Sequence, residues 1–121
     1  EEDRDLAMRV LEAGAGTPLA PRLKAATAFV THEKKRRSRE AVGARLDHLA
    51  SLLRDLSAAA EAAPGTADLA NRDLGDALAR LARAYPPDRL IAAFGHVNRA
   101  RFALDRNASP KIVADWVAVT L

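Results

Sequence analysis

The chain has 121 residues and a formal charge of +3 from 19 basic and 16 acidic side chains; 49% of its residues are hydrophobic and 29% charged, a composition for one packed core and not for a disordered chain. Of 59 apolar residues, 28 are Ala and 16 Leu against 7 Val and 2 Ile, and aromatics are 4%, so helix formers dominate, which argues against a β-sandwich or barrel. Without cysteine there is no disulfide scaffold, thiolate zinc site or Cys nucleophile, and no apolar run approaches the roughly 18 residues of a membrane span.

Leu6, Val10 and Leu11 share one face of a short first helix that Gly14-Ala15-Gly16 stops. Thr17-Pro18 offers an N-cap and a first-turn proline for a second helix, with Leu19, Leu23, Ala26 and Val30 as its inward stripe and Phe29 beside them. The basic run Lys34 to Arg39 leads into the longest helix, for which Ser38 is the expected cap. Its core stripe is Val42, Leu46, Leu49, Leu53 and Leu56, widened by Leu52, and Pro64-Gly65 breaks it. Asp73 is the expected cap of a fourth helix bearing Leu74, Leu78, Leu81 and Tyr85, which Pro86-Pro87 ends. Asp88 is expected to cap a fifth helix with Leu90, Ile91, Phe94, Val97 and Leu104 inward and Arg89, His96, Arg99 and Arg106 outward. Asn107 suits a left-handed position after it. Ser109-Pro110 starts a last helix carrying Ile112, Val113, Trp116, Val117 and Leu121. The expected fold is all-α: a compact bundle of five to six mostly antiparallel helices in a single domain, 1–121.

The search for chemistry is spare. His32, His48 and His96 are far apart and none has a metal-binding partner at i+4. Gly14 and Gly16 follow a helix, whereas a dinucleotide fingerprint needs a preceding strand. There is no phosphate loop and no nucleophile elbow, and the carboxylates sit beside arginines or at cap positions. The sequence therefore points to no catalytic residue, metal or cofactor. Five cations in Lys34–Arg39 suit phosphate contacts, but no aromatic is interleaved and Glu33 and Glu40 flank the run. A helical nucleic-acid-binding module using 34–39 is the alternative reading. Trp116 suits either an interface or the core.

From Leu46 onward the chain resembles the C-terminal collar domain of bacterial DNA polymerase III clamp-loader subunits, delta-prime more than gamma/tau. Leu52-Leu53-Arg54-Asp55-Leu56 looks like that family's Arg-Asp-Leu motif, and Asn71-Arg72-Asp73-Leu74 resembles its Asn-x-Asp element. Leu90-Ile91 through Ala100 and Leu104 resembles the helix before its Asn turn, and Asn107 to Val117, with Pro110, looks like its closing segment. Ser109 stands where the family has a second Asn, and Trp116 with Ala118 replaces a Leu-rich ending.

The resemblance implies a cytoplasmic, non-enzymatic, structural domain that joins other clamp-loader subunits in a hetero-pentameric collar during sliding-clamp loading. The ATPase activity would lie in other subunits. It also implies that this chain is the C-terminal part of a longer AAA+ protein, which suits a start at Glu1-Glu2-Asp3 with no secretory signal. No direct DNA or membrane contact is expected, and the isolated fragment is expected to be a monomer. Arg99, Arg101 and Trp116 are the candidate subunit contacts. Arg54 is expected to reach a helix end or a carboxylate on a neighbouring helix.

Overall fold

The computed structural model describes residues 2–16, 18–30, 35–62 and 68–121. Among them are six α-helices and no strand: α1 (Glu2–Ala15), α2 (Leu19–Val30), α3 (Lys35–Glu61), α4 (Gly75–Leu81), α5 (Pro87–Asp105) and α6 (Pro110–Thr120). Single 3-10 turns, Arg72–Leu74 and Ala82–Ala84, bracket α4. In space α1, α2, α6, α5 and α3 follow one another around a closed ring, and α4 packs on α3.

The spine is α3, 27 residues and about 40 Å long. Its Val42, Leu46, Leu49, Leu52, Leu53 and Leu56 are wholly inside, as the spacing predicts. Around it Leu11, Phe29, Leu78, Tyr85 and Val117 close the core. Ala7, Ala26, Ala93, Ala100, Ala114 and Ala118 are also buried, so small side chains let the helix axes approach. Two expected stripes are rotated. On α2, Ala26 and Phe29 are inside while Leu19 and Leu23 are exposed; on α5, Ile91 is 73% exposed, and Ala93 and Ala100 take the inward places. On α6, Ile112 and Trp116 lie outside and Val113, Ala114 and Val117 inside.

Three expected caps are not caps. Helix α3 begins at Lys35, so Ser38 lies inside its first turn, where its hydroxyl donates to the Val30 carbonyl at 3.4 Å. Asp73 sits within a 3-10 turn. Asp88 sits in the first turn of α5, because Pro87 already supplies a helical φ at the first position. Thr17 and Pro64-Gly65 lie outside the described residues, as does His32.

The turn from α5 to α6 follows its sequence closely. Asn107 is the one positive-φ non-glycine among the described residues, at φ 71°. The Ala108 amide donates to Ala103 at 3.0 Å and the Asn107 amide to Leu104 at 3.2 Å, a Schellman ending. Ser109 then caps α6, its hydroxyl accepting from the Ile112 amide at 3.5 Å, with Pro110 in the first turn. Asn107→Val is expected to cost about 1–2 kcal/mol, because a β-branched side chain clashes in the left-handed region. Asn107→Gly should cost nothing measurable; equal denaturation midpoints for the Val variant and the parent would refute this. Gly95 lies mid-helix on the outside of α5, and a Cβ there meets no atom within 4 Å. Gly95→Ala should therefore stabilise by about 0.5–1 kcal/mol, read as a raised urea midpoint.

Candidate functional site

Polar groups inside the bundle hold helix ends. Asp55 is buried on α3, and its carboxylate accepts from the Ala70 amide (3.0 Å), the Asn71 amide (2.8 Å) and the Asn71 side-chain amide (2.7 Å). The same side chain of Asn71 donates to Ser51 Oγ at 3.2 Å. This knot fixes the chain entering the first 3-10 turn. Its neighbour Arg54, expected to make such a tie, points to solvent and has no hydrogen bond or ion pair among the described residues. Adjacent residues on a helix diverge by about 100°, so only one of the pair can face the loop.

The Asp73 carboxylate accepts from Nη1 and Nη2 of Arg4, at 2.9 and 2.6 Å, tying α1 to this turn. The Arg4 hydrogen bonds and charge hold its carboxyl below the ordinary carboxylate range. A lowered folded-state value means this contribution is present at neutral pH and is lost as acid protonates the carboxyl.

A second knot gathers three helix ends. Arg89 donates to the carbonyls of Ala84 (2.6 Å), Gly14 (2.5 Å) and Leu121 (2.9 Å), and its guanidinium lies 4.4 Å above the Tyr85 ring. Arg22 donates to Gly14 and Gly16 (3.0 Å each) and to Val119 (2.9 Å). The Tyr85 hydroxyl donates to the Leu11 carbonyl at 2.6 Å. Gly14 makes room: a Cβ there would stand 2.6 Å from that hydroxyl. Arg89 is thus an internal fastener, not the outward residue expected. Burial raises the Tyr85 phenol above its ordinary value, opposed by the charges of Arg89 and Arg22. Because the folded-state value is raised, this residue's contribution is complete below about pH 10 and falls as the pH climbs past it. Tyr85→Phe should flatten the alkaline limb of a stability–pH profile; an unchanged limb would count against this.

The three candidate contact residues separate. Arg101 donates to the Gly43 carbonyl at 2.7 Å and pairs with Asp47 (3.2 Å) and Asp105 (3.7 Å), so it fastens α5 to α3. Arg99 and Trp116 instead share a groove of about 250 Å³ between α5 and α6, with Ala100, Ala103, Ala108 and Ile112 among its walls. His96 meets Trp116 edge-to-face at 5.3 Å. Phe102 stands nearby in sequence on α5, 60% exposed, with Arg106 stacked 4.3 Å over its ring. Of the basic run, Arg39 donates to the carbonyls of Leu104 (2.7 Å) and Ala108 (3.0 Å), capping α5. Lys34 and the side chains of residues 35–37 lie outside what is described.

Among the described residues, no three His, Asp or Glu side chains converge as a metal site, and no helix is long and apolar enough to cross a membrane. The exteriors of α5 and α6 carry large exposed apolar side chains: Ile91 and Phe102 on α5, and Ile112, Trp116 and Val119 on α6. Of these, Ile91 was expected to face inward, whereas Trp116 was expected to suit either an interface or the core. Comparison with protein-family models, with curated proteins and with solved structures gives no match for this chain.

Proposed function

We propose that the chain is a non-catalytic helical assembly domain of the clamp-loader collar type, joining delta-prime-like to other subunits of a bacterial DNA polymerase III clamp loader in the cytoplasm. The observation that carries the reading is the set of large apolar side chains on the outside of α5 and α6: Ile91, Phe102, Ile112, Trp116 and Val119. Of these, Ile112 and Trp116 share the wall of one groove, and exposed apolar side chains gathered in this way mark surfaces that another protein covers. The collar type draws support from Asp55 and Asn71. They come from two separate family-like motifs, lie 16 positions apart, and bond directly inside the bundle.

The competing nucleic-acid reading loses one of its cations, since Arg39 is committed to two backbone carbonyls. The test is size-exclusion chromatography of the 121-residue chain with and without clamp-loader delta and gamma/tau subunits. The chain alone should elute as a monomer, move into the complex with its partners, and fail to do so as Trp116→Asp. A parent chain that stays monomeric beside all its partners sinks the proposal.

A further inference from the structure

We propose that the α5–α6 groove seats one amphipathic helix of a partner, and that this helix is acidic along its flanks. The inference deepens the assembly reading and rests on it only in supposing that this face meets protein. Small side chains, Ala100, Ala103 and Ala108, leave the groove open, while Ile112 and Trp116 wall it. About 250 Å³ of space admits a single large apolar side chain. Two antiparallel helices with a groove between them present the surface into which a third helix packs its ridge of residues.

The charge around the groove selects the partner. Arg99 is exposed in its wall and has no ion pair among the described residues. Arg106 lies on the Phe102 ring, with no carboxylate against it. The nearby acids are already matched: Asp115 with Lys111 at 3.1 Å and Asp105 with Arg101 at 3.7 Å. One cation without a counter-charge, Arg99, therefore stands in the wall of an apolar trough, the complement of a helix with a Leu-rich face and Glu or Asp beside it. Nucleotide bases are the poorer fit. Stacking needs open ring faces, whereas Arg106 covers a face of Phe102 and His96 engages the Trp116 ring.

Trp116 is the chain's one tryptophan, so its fluorescence reports on the groove directly. The probe is a Trp-free 18-residue helical peptide with Leu at i, i+3, i+4 and i+7 and Glu on both flanks. A second peptide carries Lys in place of Glu. The Glu peptide should give a saturable blue shift that weakens with salt. Arg99→Glu should weaken it about tenfold or more and favour the Lys peptide. Ile112→Ser should weaken both. Positions 99 and 112 are exposed, so circular dichroism should show both variants folded.

Equal binding of the two peptides, no effect of Ile112→Ser, or displacement of the peptide by single-stranded DNA would each overturn the inference. If the peptides fail while the chain still enters the clamp-loader complex, only this inference falls. If the Glu peptide binds as expected and no complex forms, only the collar reading falls.

Discussion

Asp55→Ala should lower stability by about 3–5 kcal/mol, which in a chain of this size is a drop in melting temperature on the order of 10–20 °C. The carboxylate answers three donors at once: the Ala70 and Asn71 amides and the Asn71 side chain. Alanine leaves all three without their acceptor, two of them in bonds that are buried. Buried donors without acceptors each cost about 1–3 kcal/mol. Asp55→Asn keeps one carbonyl oxygen and should fall between. Arg54→Ala, one residue away on the exposed side, should stay within about 0.5 kcal/mol of the parent. Urea denaturation of the three variants checks the order. An Asp55→Ala midpoint matching that of Arg54→Ala would mean that the knot contributes nothing.

The next largest effect is expected at Arg45. Its side chain is only 3% exposed, with Nε on the Asp3 carboxylate at 2.9 Å and Nη1 on the Phe29 carbonyl at 2.6 Å. One guanidinium on α3 thus joins the first turn of α1 to the last turn of α2. Arg45→Met keeps most of the volume and removes both bonds, stranding a buried carbonyl. A loss of about 2–3 kcal/mol is expected. Asp3→Asn, which keeps a neutral acceptor at a half-exposed site, should lose less than 1 kcal/mol. If the two variants melt together, the bond to Phe29 is not where the stability lies.

How far the sequence disclosed this arrangement depends on the size contrast along each helix. On α3 the large apolar side chains of the inward arc are all Leu and Val, so its stripe stood out. The Asn107 turn and the Ser109-Pro110 start were equally plain, because few residues other than Asn and Gly accept a left-handed backbone. On α5 the inward series is Leu90, Ala93, Val97, Ala100 and Leu104. Its alternate members are alanines, and the larger Ile91 and Phe94 drew the expected face to one side.

Arg45 and Asp55 stand between apolar positions of α3, and their charge alone gives no sign that they are buried. A helical wheel puts Asp55 about 60° beyond Leu52, outside the core arc, where it meets the loop; it puts Arg45 on the arc, between Leu52 and Leu56, and that angle was the available signal. The groove itself had none, since it exists only where two helices separated by a turn lie side by side.

The internal arginines also set how this fold can drift. Arg22, Arg39 and Arg89 each reach two or three backbone carbonyls. A flat fork of nitrogens spans such a set, and the single ammonium of lysine does not. Exchange of Arg for Lys, the mildest of substitutions by charge, should pass unnoticed at exposed Arg80 and Arg83 and loosen the helix ends at the other three. A lineage under pressure to trade one basic residue for the other would have to keep its arginines at those three positions or rebuild the ends of four helices.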